Sequence, residues 1–276
     1  MSEHNISIKG GKTIRLKTAG KYCDRDIVVN APDNLDALIN NTITEVDSNA
    51  ETIPTYKFQN CSALTRANFP NANAVGAYAF AGCELMEEAT IPNLKSVEQY
   101  VFRKCGSLGV ADFPEATSIA TSAFRECSAL HTVNMPKLEA VGSYAFDGCE
   151  SLTRVEFPAA ATVESRAFYG CTSLQVADFA SVTSIKSQAF YDAAVKALVL
   201  RAGSVCTLST NVLTGTPIAS GTGYIYVPAA LVGSYKTATN WIAHAAQFRA
   251  LEGYTVDGTV TGELDESKMF GGNPIA

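Results

Sequence analysis

The chain has 276 residues, is 47% hydrophobic, and carries a formal net charge of -6 with a pI near 5.2. That balance lacks the basic field a phosphate backbone attracts, so nucleic acid is not an expected partner. No stretch reaches the roughly eighteen apolar residues of a membrane span, and the opening MSEHNISIKGGKTIRLK has no apolar core of a secretory leader, so neither membrane insertion nor ordinary export is expected.

Residues 1–33 alternate apolar and polar side chains on both sides of Gly10-Gly11 and again through Ile27, Val28 and Val29, which predicts short strands joined by glycine turns. Residues 34–50 are read as a short capping helix through Leu35, Leu38 and Ile39, started by Asp33 or Asn34, and then a partial coil at Ile43 to Val46.

A fixed period dominates residues 51–203. Phenylalanine recurs every twenty-two residues at Phe58, Phe80, Phe102, Phe124, Phe146, Phe168 and Phe190. Cysteine follows three positions later at Cys61, Cys83, Cys105, Cys127, Cys149 and Cys171, and Ala193 holds the seventh slot. Proline closes the phrase at Pro70, Pro92, Pro114, Pro136 and Pro158, and Leu64, Met86, Leu108, Leu130, Leu152 and Leu174 lie between. A period of this length with L-x-x-[AV]-x-[FIM] inside it is the signature of a leucine-rich-repeat solenoid of α/β type, with one short parallel strand expected per coil. A single coil cannot bury its own apolar face, so neighbours must stack, and the terminal coils need caps.

The cysteine column fits packing better than chemistry. Equivalent residues in adjacent coils sit about 4.8 Å apart with parallel side chains, a poor arrangement for disulfides. No C-x-x-C pair occurs and only His4, His131 and His244 offer imidazoles, so zinc is not expected. The column therefore reads as small buried apolar residues, with Cys127→Ser expected to be worse than Cys127→Ala because a buried hydroxyl has no assured partner. Cys23 and Cys206 fall outside it.

Within the strand phrase Leu64, Ala67 and Phe69 should point inward and Arg66 and Asn68 outward, followed by Glu88/Thr90, Val110/Asp112, Thr132/Asn134, Arg154/Glu156 and Val176/Asp178. Two residues before each Phe runs a second column, Tyr56, Tyr78, Tyr100, Ser122 and Tyr144, while Arg103, Lys104 and Arg125 follow successive phenylalanines. Tyr78, Tyr100, Tyr144, Arg103, Lys104 and Arg125 are the candidate partner-binding residues, since Tyr and Arg concentrate binding energy at interfaces.

Residues 204–276 are read as a C-terminal cap of a strand, GYIYVP at 223–228, and helical turns packing Leu231, Tyr235, Trp241, Ile242, Ala245 and Phe248 on the last coil. A mobile tail with a turn at Asp257-Gly258 is expected to follow. There is no H-E-x-x-H, G-x-S-x-G, P-loop or G-x-G-x-x-G, so neither catalysis nor a cofactor or metal is expected.

The phrase VGSYAFDGCESLTRVEFP resembles the BspA-like leucine-rich-repeat family of bacteria, whose repeats read approximately I-G-x-x-A-F-x-x-C-x-S-L-x-x-V-x-x-P, over about residues 50 to 200. The flanks TAGKYCDRDIVVNAP and IYVPAALVGSYKTATNWIAHAAQFRALE resemble segments of prophage-encoded proteins of gut bacteria. The resemblance implies a protein-interaction or adhesion module with an unknown protein or glycan partner, located in the cytoplasm or a phage particle, with the cell surface implied by the family alone. The alternatives are a spacer or assembly component whose caps make the contacts, and a surface adhesin exported by an unrecognised route.

Overall fold

The computed structural model describes residues 3–8, 12–17 and 43–251. The expected helix at 34–39, Cys23 and the Asp257-Gly258 turn lie outside the described residues.

Each coil is built as its sequence dictates. Arg66–Asn68 is a three-residue strand with Ala67 buried between two more exposed neighbours, and Pro70, with no N–H to donate, follows just after it. A second strand of two residues, Ala74–Val75, buries its branched aliphatic. The same pair recurs in parallel register through the array, for example Arg66 beside Glu88 and Val75 beside Val97. The solenoid is thus as expected, with two refinements. A second ladder of eight two-residue strands runs from Thr52–Ile53 to Thr207–Leu208, and the segment carrying Phe and Cys is a run of turns rather than a helix.

Those turns have a rule. The residue two before each Phe is left-handed (Tyr56, Tyr78, Tyr100, Ser122, Tyr144, Arg166 and Gln188, φ 56 to 60°), and so is the residue two after it, where Gly82, Gly148 and Gly170 alternate with Asn60, Lys104, Glu126 and Asp192. Amides two apart then face the next coil: Tyr78 N–H reaches Gln99 O at 3.1 Å, Phe80 N–H reaches Val101 O at 3.0 Å and Gly82 N–H reaches Arg103 O at 2.7 Å. Intervening amides close turns within the coil, as Cys83 N–H does on Phe80 O at 3.1 Å. Every coil is therefore tied to its neighbour along a third line besides the two strand ladders.

The core is one continuous cluster from Ile43 to Phe248. The seven phenylalanines stack with centroids 5.2 to 5.5 Å apart and rings within 13° of parallel. Phe69, Phe113, Phe157 and Phe179 lean on this stack from the strand side.

The cysteine column is buried and reduced, but it is not merely apolar. From the second member on, each thiol donates to the carbonyl of the preceding coil's Phe: Cys83 to Phe58 O at 3.0 Å, Cys105 to Phe80 at 3.2 Å, Cys127 to Phe102 at 3.0 Å, Cys149 to Phe124 at 3.2 Å and Cys171 to Phe146 at 3.1 Å. A hydroxyl at position 127 has an acceptor waiting, which removes the reason for expecting serine to be the worse substitution. Phe102 O also accepts Cys105 N–H at 3.1 Å, so alanine does not orphan it. Cys127→Ala and Cys127→Ser are expected to lie within about 1 kcal/mol of each other, each folded, as read from urea midpoints. The seven described thiols are expected to react with a thiol reagent at neutral pH only when the chain unfolds, because burial pushes Cys127, for one, up to about 12.

Both ends are closed. At the N-terminal end, strands Glu3–Ile8 and Lys12–Lys17 form an antiparallel hairpin whose second strand pairs with Glu45–Asp47, the first strand of the array. At the other end, side chains replace the missing next coil. Trp241 Nε1 donates to Cys206 O at 2.6 Å, Cys206 N–H donates to Tyr235 Oη at 2.9 Å, and Asn240 Nδ2 donates to Leu208 O at 2.6 Å. Tyr235, Trp241 and Phe248 pack as a buried aromatic trio, as expected of the cap. Ile242 does not join them: it is 62% exposed, because the chain makes one short helix, Val232–Thr237, and a 3-10 turn, Ile242–Gln247, that leaves it outward.

Candidate functional site

The left-handed column sets the site. A tyrosine there projects along the edge of the coil, and the 22-residue step places the next one directly over it. Tyr56 and Tyr78 stack at 5.0 Å, Tyr78 and Tyr100 at 4.6 Å. Lost hydration within this stack, with phenol neighbours on both sides, raises the Tyr78 hydroxyl above its usual range. At Ser122 the stack is interrupted, and the residue after each Phe takes over. Arg103 lies over the Tyr100 ring at 6.0 Å, and Arg125 over the Tyr144 ring at 5.7 Å.

All six residues singled out in the sequence thus share one edge. Arg103, Lys104 and Arg125 do not form an open basic patch, however. They converge on Glu126, at 3.8, 3.7 and 3.4 Å, and Arg125 Nε also meets Asp147 at 2.9 Å. Burial holds the Asp147 carboxyl above the usual carboxylate range, with the Arg125 guanidinium opposing that shift. The charge that these three cations present is largely balanced by the two carboxylates.

The edge extends past the sequence-based set. Arg166 occupies the tyrosine slot of the next coil, donates to Tyr144 Oη at 3.3 Å and to Gln188 Oε1 at 2.7 Å, and lies 5.5 and 5.4 Å from the Tyr144 and Tyr169 rings. Tyr169 and Tyr191, one residue after their phenylalanines, stack at 5.2 Å. The signal for these was present: Tyr144 plus twenty-two is Arg166, and Arg125 plus forty-four is Tyr169.

The outward sheet positions behave differently. Several of them tie neighbouring coils together: Arg66 bridges Glu45 at 3.9 Å and Glu88 at 3.5 Å, Asn68 donates to Asp47 at 2.8 Å and Asn134 to Asp112 at 2.7 Å. Val176 and Asp178, expected to be outward and solvated, are buried, and Arg201 clamps Asp178 with contacts of 2.9 and 2.7 Å. Among the described residues no group of three His, Cys, Asp or Glu is placed to hold a metal ion, and no helix is long and apolar enough to cross a membrane.

A model of the BspA type leucine rich repeat region matches residues 36–138 and 95–218, in six copies. Solved structures of similar form include a leucine-rich repeat protein of T. pallidum, at 20% identity and a TM-score of 0.48, covering 58% of this chain and 83% of that one. A leucine-rich repeat protein of Bacteroides ovatus ATCC 8483 is 16% identical with a TM-score of 0.44, over 76% of this chain and 72% of that one. A leucine rich cell surface protein of Faecalibacterium prausnitzii A2-165 is 16% identical with a TM-score of 0.40, over 76% and 65%. None of the curated proteins matches the chain.

Proposed function

The chain belongs to the BspA-type leucine-rich repeat family, and from that premise we propose that it is a non-catalytic recognition module that engages a protein partner through its tyrosine and arginine edge. The backbone of that edge carries the reading. A bulky residue at φ near 60° costs about 1 to 2 kcal/mol relative to its right-handed form, a cost that glycine escapes. Tyr56, Tyr78, Tyr100 and Tyr144 all sit there. The left-handed slot is common to all seven coils, and tyrosine fills it in four of them where glycine would be unstrained, which argues that the ring itself is wanted, exposed at Tyr56 and half-buried at Tyr78, Tyr100 and Tyr144.

The chemistry of the strip is that of a protein interface. Tyrosine supplies area and a hydroxyl at small entropic cost, arginine adds planar donors, and the rigid array fixes their spacing before the partner arrives. An aromatic and guanidinium strip offers stacking and hydrogen bonds but no matched acid, base and nucleophile, which supports recognition rather than turnover.

Serine is the substitution to test it with, because Ser122 already occupies the same slot at φ 56°. Immobilised chain and a Tyr78→Ser, Tyr100→Ser, Tyr144→Ser variant, presented with the same bacterial and extracellular protein extracts, identify captured proteins, and the purified partner is then titrated against both. With at least one hot spot of about 2 kcal/mol among the three, the affinity should fall about thirtyfold or more while the circular dichroism is unchanged. Equal affinities would overturn the edge as the working surface and favour a spacer whose caps make the contacts. A captured cell-surface protein would support adhesion, and a captured tail protein a place in a phage particle.

A further inference from the structure

Glu126 stands in a left-handed slot, φ 62°, that glycine fills in the next two coils as Gly148 and Gly170. A glutamate there carries a backbone cost that glycine escapes. Its carboxylate draws in Arg103, Lys104 and Arg125 at 3.8, 3.7 and 3.4 Å, with side chains 35 to 50% exposed. Ion pairs that open to water add little to stability, so they do not offset the backbone cost. The separations are also long for charge-assisted hydrogen bonds, which close to about 2.7 to 2.9 Å. Attraction between charges persists at that range while the donors stay unspent. Arg103 shows this: its Nε–H is buried and finds no hydrogen-bond partner among the described residues. Asp147, 2.9 Å from Arg125 Nε, completes the set. Three cations against two carboxylates leave a net charge of +1, and without Glu126 it would be +2.

We propose that Glu126, seconded by Asp147, determines the specificity of the tyrosine and arginine edge: it cancels the field of the cations without saturating their donors, so the edge reads uncharged acceptors such as main-chain carbonyls and rejects polyanions. The inference rests on that edge being the working surface. A polyanion binds through the cations a surface leaves uncompensated, because each one releases a condensed counterion. A carbonyl needs only a donor at close range, and the guanidinium N–H groups supply it whether or not their charge is balanced. Glu126 therefore weakens the first kind of partner and spares the second, and a partner is selected as much by penalising its competitors as by contacts of its own.

Fluorescein-labelled heparin, a flexible sulfated polyanion, is the probe, titrated by fluorescence anisotropy against the full chain. At about 50 mM salt Glu126→Gly and Glu126→Gln should each bind it at least about tenfold more tightly than the unaltered chain, and the gain should collapse at about 200 mM salt. Glu139→Gln removes an exposed carboxylate just before the strand Ala140–Val141, changes the net charge equally, and should gain less than about twofold. A gain with glycine but not with glutamine would trace to shape rather than charge and overturns the proposal. Equal binding by the Glu126 and Glu139 variants overturns it too, as does an unaltered chain that already binds heparin as tightly as they do. Should the glycine variant not fold, glutamine decides. Unchanged heparin binding removes this filter while tyrosine-dependent capture still stands, whereas tyrosine-independent capture removes the edge itself, whatever heparin does.

Discussion

Raising the pH from 9 to 10 is expected to cost the array more stability than any single substitution. Six thiols, those of Cys83, Cys105, Cys127, Cys149, Cys171 and Cys206, are held above the ordinary thiol range, chiefly by burial except at Cys83, where the hydrogen bond with Cys61 comes first. Cys127 and Cys206 are pushed up to about 12. A group whose pKa is raised by folding contributes stability that is complete below its unfolded pKa and lost as pH rises toward the folded one. Between those values the unfolded chain has released the proton and the native chain has not, so the slope is negative. Each group contributes up to about 1.4 kcal/mol per pH unit once the unfolded thiol is fully ionised, and about 1 kcal/mol between pH 9 and 10, so six together contribute about 6 kcal/mol over that unit, comparable with the whole stability of an ordinary domain.

Urea midpoints between pH 8 and 10 measure this slope. Alanine is compatible with the column, because Ala193 fills its seventh slot and is buried there. The combined Cys105→Ala, Cys127→Ala, Cys149→Ala variant should therefore fold and lose about half the slope. Staying at or below pH 10 limits the contribution of Tyr226 and Tyr235, whose hydroxyls are pushed up to about 12. An unchanged slope in the triple variant would mean that the thiols are not what the alkaline transition reads.

The same column shows what the sequence disclosed and what it withheld. A 22-residue step is enough to place Phe58 through Phe190 in one stack, because a stacked coil has nowhere else to put a large ring at a fixed interval. It also separates Arg66 from Ala67, because strand geometry alternates. Hydrogen bonds formed across coils leave no such mark. The thiol of Cys127 looks like a small apolar residue until the Phe102 carbonyl is found in front of it at 3.0 Å. The two-residue ladder was likewise hidden, since Ala74–Val75 is too short to show any periodicity.

The candidate site was legible as columns but not as a surface. Tyr78 and Tyr100 share a column, so their contact followed directly from the period. Arg103 and Tyr144 belong to different columns, and only the turn geometry brings them to one edge. Positive φ at the tyrosine slot was invisible for a physical reason: sequence rules assign left-handed backbone to glycine and asparagine, and tyrosine there contradicts local preference. Val176 failed in the opposite direction. Its repeat position says outward, yet it is buried in an apolar cluster with Ala197, Val199 and Tyr226 of the strands that follow.

Phe124→Ala is the substitution expected to hurt most. Phe124 lies between Phe102 at 5.3 Å and Phe146 at 5.4 Å, with Phe113 against it at 6.2 Å, and none of its surface reaches solvent. Truncations of this kind cost about 3 to 5 kcal/mol, and the spread depends on how far the surroundings collapse into the cavity. Here collapse is opposed by the backbone. Phe102 N–H holds Ala123 O at 2.8 Å and Phe124 N–H holds Ala145 O at 2.8 Å, so the neighbouring rings cannot close without breaking coil-to-coil bonds. The cost should therefore fall at the upper end of that range, and Phe58→Ala, at the end of the stack with one parallel neighbour, should cost at least about 1 kcal/mol less. Trp241, the single tryptophan, is buried in the C-terminal cap, so its fluorescence follows that end while far-UV circular dichroism follows the whole array. Coincident transitions in Phe58→Ala but separated ones in Phe124→Ala would show the array dividing at its middle, as nearest-neighbour coupling requires when the central contact is weakened. A loss below about 1.5 kcal/mol at Phe124, or an equal loss at Phe58, would mean that the stack does not carry the coupling between coils.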